Sequence, residues 1–204
     1  MELLVNILLV SASGYLLGSI PTSFILGKVL KGVDLREFGS GNLGAANTFR
    51  VLGAKAAVPV LIIDIGKGFL AVKAVSLFGI DNSTLIALAA FLAVLGHNYS
   101  IFVRFSGGKG VGTTTGVFLA IAPVAVAICL IVWLVILLLT RIVSLASMSA
   151  AVFLPVSLIL MRFLFGYKTG MVIIALSVIV AIAVIYKHRS NIKRLKLGTE
   201  KRIF

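Results

Sequence analysis

Long apolar stretches alternate with short polar ones along the whole chain, and their lengths set the first expectation. Apolar runs cover Leu3 to about Val29, about Ala54 to Ile80, about Thr84 to Val103, and Met171 to about Tyr186. A further run, Ile142 to Phe165, is interrupted only by Arg162 near its end. Each is close to or above the ~20 residues a helix needs to cross the hydrocarbon core of a bilayer. Residues 111–139 form a stretch too long for one ordinary span, roughly 43 Å as a helix, and short for two full ones. Pro123 lies near its middle, where proline disfavours an unbroken helix. The pattern therefore predicts a short helix at about 111–121 and a return at about 123–140.

Charge chooses between one crossing and two. If 111–139 crosses twice, the chain has seven spans, with fifteen Lys and Arg residues on one side and only Arg162 and Lys168 on the other. If it crosses once, the split is eight against nine. The basic excess belongs on the cytoplasmic side. The expected fold is thus all-α, a polytopic membrane protein of about seven transmembrane helices, with the N-terminus outside and the C-terminus cytoplasmic. Residues 1–204 form a single integral membrane domain in this reading. Three polar segments, 31–53, 104–114 and 187–204, then share the cytoplasmic side.

Composition agrees. Sixty per cent of the residues are apolar, 12% are charged and the mean hydropathy is +1.18, which excludes an ordinary soluble domain. A net charge of +13 in a soluble protein would suggest nucleic acid. Here the basic residues cluster between apolar runs, so topology is the simpler explanation and nucleic acid the weaker one. Met1-Glu2 lacks the basic region of a cleavable signal peptide, so the first apolar run is expected to remain as a span. The single Cys129 lies inside an apolar run and has no partner for an internal disulfide, which leaves it a packing role.

The first polar segment, GVDLREFGSGNLGAANTFRVLG at 32–53, mixes five glycines with Ser40, Asn42, Asn47 and Thr48, and carries Arg50. Glycines allow successive N–H groups to converge on an anion; Ser and Asn add neutral donors, and Arg50 can grip phosphate in a forked geometry. A solvated turn is the bland alternative, and it would not need so many donors beside so few acids. The second segment, GHNYSIFVRFSGGKGVGTTTG at 96–116, runs from Ser106-Gly107-Gly108-Lys109-Gly110 into Thr113 at the start of the short helix. It follows the physical logic of a phosphate loop: exposed amides, a Lys, a helix N-terminus. It lacks Walker A spacing, which argues against ATP.

The third segment, HRSNIKRLKLGTEKRIF at 188–204, places His188 and Asn191 on one helical face. Lys193, Arg194 and Lys196 fit a basic anchor to anionic headgroups, and Glu200 is expected to pair with an Arg. Ser144 and Ser147 begin a span at the cytoplasmic boundary; Asp64 and Lys67, three apart inside the second span, are expected to pair with each other. With two histidines and no carboxylate cluster on the cytoplasmic side, neither a metal site nor any other cofactor is expected. Ser40 has no adjacent base. A transporter for a phosphorylated solute would share the phosphate-binding face, but the outer half offers little polar path beyond Asp81, Asn82, Arg162 and Lys168.

These segments resemble the bacterial membrane glycerol-3-phosphate acyltransferases that use acyl phosphate as donor, the PlsY family. The resemblance is carried by GSIPTSFILGK in the first span, GSGNLGAANTFR, GHNYSIFVRFSGGKGVGT, VSLAS and HRSNIKRLKLGTE, and covers nearly the whole chain. It implies a seven-helix fold with its active site on the cytoplasmic side of the inner membrane. It also implies transfer of a fatty acyl group from acyl phosphate to the sn-1 hydroxyl of glycerol 3-phosphate, giving lysophosphatidic acid and phosphate for bacterial phospholipid synthesis. Partners are then the two substrates and membrane lipids. By resemblance, Ser40, Arg50, Lys109, His188 and Asn191 are the catalytic candidates. Gly107, Gly108 and Gly110 with Lys109 bind phosphate, and Gly41, Asn42, Asn47, Thr113 and Ser147 supply further substrate contacts. Acyl phosphate is already activated, so no covalent acyl-enzyme is needed. The base is either His188 or a phosphate oxygen of the donor.

Overall fold

The computed structural model describes residues 1–203, and every regular element among them is helical. The helices are α1 (Glu2–Ser19), α2 (Thr22–Lys31), α3 (Ala45–Leu52), α4 (Ala54–Leu77), α5 (Ser83–Asn98), α6 (Val111–Ile121), α7 (Pro123–Thr140), α8 (Val143–Phe165), α9 (Met171–Lys187) and α10 (Arg189–Lys196). A 3-10 turn covers Ile101–Val103. The chain forms two compact units, one from Met1 to Ala120 and one from Ile121 onward.

The difficult stretch divides where Pro123 predicts. α6 ends at Ile121, and Pro123 opens α7 at a first-turn position, where its missing N–H costs nothing. The first apolar run departs from expectation. Its hydropathy is continuous, but the helix breaks at Ile20-Pro21 into α1 and α2, because the proline cannot supply the N–H that an unbroken helix would need there. The run starting near Thr84 also divides, with α5 ending at Asn98 ahead of the 3-10 turn.

Among the described residues, four stretches are long and apolar enough to cross a bilayer: 2–31, 83–103, 123–140 and 143–165. A fifth is added if α9 and α10, bent by 57° at their junction, form one span. α4, with 24 residues, carries Asp64 and Lys67 in its interior, and α6 is shorter.

In the first unit, helices approach through residues without bulk. A Cβ on Gly14 would stand 2.7 Å from the carbonyl oxygen of Ala89, and one on Gly18 would overlap that of Ala93, so α1 and α5 pack backbone to backbone. α4 and α6 repeat the device, with Gly68 against Thr113 and Gly116 against Ile65. Lipid gives apolar side chains no reason to cluster, so close van der Waals contact of this kind supplies the association. In the second unit, α8 packs against both α7 and α9. The chain's end returns to the start of α8, where the Ile203 amide donates to the Arg141 carbonyl at 2.8 Å.

Candidate active site

The first glycine-rich loop is closed by one side chain. Asn47, on α3, accepts from the Ser40 amide at 2.7 Å and donates to the carbonyls of Leu35 and Phe38 at 3.0 and 3.1 Å. Gly39 and Gly41 take left-handed backbone conformations, with φ of +63° and +69°, which the turn requires. Ser40 and Gly41 are exposed at the loop's tip, Asn42 is half-buried beside them, and Arg50 is exposed one turn after Asn47 on α3. Asn47 itself is 1% exposed. Its amide is occupied with shaping the loop.

The second loop rests on the first. Leu35 and Leu43 of the first segment and Val103 of the second share one apolar cluster. Arg36 ties them further: its guanidinium donates to the Val103 carbonyl at 3.1 Å and pairs with Asp34 at 2.6 Å. Hydrogen bonds from Arg36 outweigh burial and hold the Asp34 carboxyl below its ordinary 3.8, while the Arg36 pKa is raised by the same bond. A Cβ on Gly108 would stand 2.7 Å from the Leu43 carbonyl oxygen and would overlap the His97 ring; one on Gly107 would overlap the His97 carbonyl. Only glycine fits at either place. Lys109 is half-buried between Gly108 and Gly110 (φ +83°), immediately before α6 begins. The loop thus places Lys109 two residues before the first turn of α6, and a cation next to a helix N-terminus suits a phosphate. Thr113 is fully buried where α6 meets α4, and its hydroxyl has no hydrogen-bond partner among the described residues.

The break in the first span leads to residues that spacing alone had closed off as a pair. Lys67 binds Asp64 at 2.8 Å and also donates to the Ile20 carbonyl at 2.8 Å, next to the helix break. A buried main-chain carbonyl is costly if unmet; that of Ile20 accepts from the Thr22 amide at 3.1 Å as well as from Lys67. Thr22 donates to Asp64 at 3.2 Å, and His97 Nδ1 lies 3.6 Å from the same carboxylate oxygen. The pair is therefore the centre of a buried cluster. It lines a cavity of about 10 Å³, room for one water, together with Ser19, Ser100, Gly107 and Gly108. Asp64, Lys67 and His97 were not among the sequence candidates, because apart from the Asp64–Lys67 pair itself the contacts that join them span 33 to 47 residues.

In the second unit, His188 closes α9 and is 3% exposed. Its Nδ1 is 2.7 Å from the Val184 carbonyl. A carbonyl only accepts, so Nδ1 carries the hydrogen and the lone pair of the neutral ring is on Nε2. Asn191 donates to Glu200 at 2.6 Å, as do Ser144 at 2.8 Å and Arg194 at 2.6 Å. The expected Arg partner for Glu200 is Arg194. Burial would raise the Glu200 pKa, but these three donors hold it below its ordinary 4.5. Ser147 is buried and accepts from the Trp133 indole at 3.2 Å. Among the described residues, no group of three or more His, Cys, Asp or Glu side chains gathers as a metal site.

The model of the glycerol-3-phosphate acyltransferase family matches residues 8–198. The chain belongs to that family. The glycerol-3-phosphate acyltransferase of Fusobacterium nucleatum subsp. nucleatum is 45% identical over 188 residues, 92% of this chain and 93% of the relative. That of Chlorobaculum parvum is 41% identical over 215 residues, 93% of each. Among solved structures, the glycerol 3-phosphate form of PlsY, an integral membrane glycerol 3-phosphate acyltransferase, matches with a TM-score of 0.87 at 41% identity, covering 97% of this chain and 96% of that one. Its lysophosphatidic acid form matches at 0.84 and 40%, covering 97% and 95%. As a member of the PlsY family, the chain is an acyltransferase and a multi-pass membrane protein.

Proposed function

We propose that the protein transfers a fatty acyl group from acyl phosphate to the sn-1 hydroxyl of glycerol 3-phosphate, releasing 1-acylglycerol 3-phosphate and inorganic phosphate. The observation that carries this is the packing of the Gly107-Gly108-Lys109 loop against the 35–47 loop, directly ahead of the α6 N-terminus. The PlsY structures add to it: their ligands, glycerol 3-phosphate and lysophosphatidic acid, differ by one acyl group. Seven spans, an outside N-terminus and an active site on the cytoplasmic side of the inner membrane complete the reading. It is supported by the separation of α6 from α7 and by the distribution of Lys and Arg.

In this scheme the hydroxyl oxygen attacks the acyl carbonyl carbon, and the carbon–oxygen bond to phosphate breaks, its electron pair leaving with the phosphate. Lys109, the loop amides and Arg50 hold the phosphate groups and offset the developing charge. Ser40, Gly41 and Asn42 orient the substrates at the tip of the first loop. The hydroxyl proton goes to His188 or to a phosphate oxygen of the donor; within the second unit His188 keeps Nε2 as an acceptor, Asn191 is fixed by Glu200, and Ser147 is the further polar candidate. The acyl chain lies among apolar helices and enters from the inner leaflet.

The test is purified protein in detergent or lipid cubic phase, with phosphate release and lipid product followed together. Product is expected only when acyl phosphate and glycerol 3-phosphate are both present, and none with acyl-coenzyme A in place of acyl phosphate. Equal turnover of acyl-coenzyme A would overturn the donor assignment, and solute flux without acyl transfer would overturn the enzyme itself.

A further inference from the structure

The acyl-transfer scheme leaves unused a fully buried charged cluster of the first unit, the one under the second loop. Asp64 and Lys67 are each 4% exposed and His97 is 7% exposed, so all three have left water at a large desolvation cost. Two charges that only neutralised each other would need no third group. This cluster reaches further at both ends. Lys67 holds the Ile20 carbonyl beside the helix break, and the Asp64 carboxylate stands at ion-pair distance from His97. His97 in turn supports the loop twice. Its carbonyl accepts from the Gly108 amide at 3.0 Å, and its ring edge, Nε2 and Cε1, lies directly against the Gly108 Cα hydrogens, where a Cβ would overlap it. The small cavity between cluster and loop is also lined by Ser19, whose hydroxyl is fully buried with no protein partner, so the space is polar rather than sealed by packing.

We propose that Asp64 and His97 are positioning residues for the Gly107–Lys109 loop: the Asp64–Lys67 pair anchors the His97 imidazole, and His97 sets the loop backbone in the form that receives a phosphate group. This rests on the reading of that loop as a phosphate site. The brace acts through the loop, so its loss shows in substrate affinity before it shows in turnover. A merely structural role would instead lower the folded fraction and leave KM untouched.

The decisive comparison is steady-state kinetics of His97→Ala, His97→Gln and Asp64→Asn beside the parent protein, varying each phosphorylated substrate in turn. His97→Ala is expected to raise KM for at least one of them about tenfold while kcat changes by less than about threefold. His97→Gln, whose amide reaches toward the position of Nε2, is expected to recover most of that loss, and Asp64→Asn to fall between. Unchanged KM in His97→Ala overturns the proposal, as does a fall in kcat alone. If the variants fail to insert, the parent protein decides: it contains only two histidines, so ¹⁵N-histidine spectra, assigned with His188→Asn, can be titrated with inorganic phosphate. A saturable shift of the His97 ring signals supports the brace; their constancy while phosphate binds overturns it. A His97 response in a protein that transfers no acyl group would sink the acyltransferase reading and leave the brace standing.

Discussion

The two glycine-rich loops of the first unit have similar compositions and opposite supports. The loop at 38–42 is held by a neighbour, Asn47, which closes three hydrogen bonds onto backbone within twelve residues of itself. The loop at 106–110 is held from far away. Its glycines lie on His97 and on the Leu43 carbonyl, and beneath His97 stand Asp64 and Lys67, 33 and 30 residues before it. The first loop is a local turn that its own segment specifies, and the second forms only when three helices and the broken first span have assembled. Damage to the first loop should therefore stay local. Damage to the second should be felt wherever the helices of the first unit meet.

The sharpest way to separate the loops is to remove the cation each contributes. Lys109→Ala and Arg50→Ala are each expected to lower kcat/KM by about a hundredfold or more while leaving insertion and thermal stability near those of the parent. Near-normal rates in either variant would remove that residue from the site. Next in size is Asn47→Ala, which strips the partner from the Ser40 amide and two carbonyls. A loss of about 1–3 kcal/mol for each group left buried and unmet is expected in thermal unfolding, along with weaker substrate binding. Stability equal to the parent's would show that the loop closes without it.

The smallest effect concerns the lock between the loops. Because the Asp34 pKa is lowered in the fold, its pairing with Arg36 contributes stability above the ordinary carboxylate value of 3.8 and loses it as pH falls through the lowered one. The pair is partly exposed, so the contribution is less than about 1 kcal/mol. Unfolding of the parent at pH 3 and pH 6 should differ slightly more than unfolding of Asp34→Asn; identical pH dependence in the two would count against the lock.

Much of the fold could be read from the chain because apolar length and proline act locally. Pro123 separates α6 from α7 where the pattern predicts. Pro21 gives no hydropathy signal, because hydropathy does not change across it, and the break is tolerated because the Ile20 carbonyl is taken by the Thr22 amide and by Lys67. The loops themselves were legible as clusters of Gly, Ser and Asn. What they rest on was not. Asp64 and Lys67 are three apart and look self-sufficient, whereas His97 and Thr22 reach them only through tertiary packing. Likewise, an Arg partner for Glu200 follows from charge, but the bonds from Ser144 and Asn191 to it span 56 and 9 residues with no periodic sign.

Side-specific labelling tests most directly whether both loops form one phosphate site facing the cytoplasm. Single cysteines at Ser40 and at Ser106, introduced after Cys129→Ser, would be exposed to a membrane-impermeant maleimide in right-side-out and inverted vesicles. Both positions should label only from the cytoplasmic side, and glycerol 3-phosphate or acyl phosphate should slow both reactions. Labelling of the two from opposite sides would contradict the account.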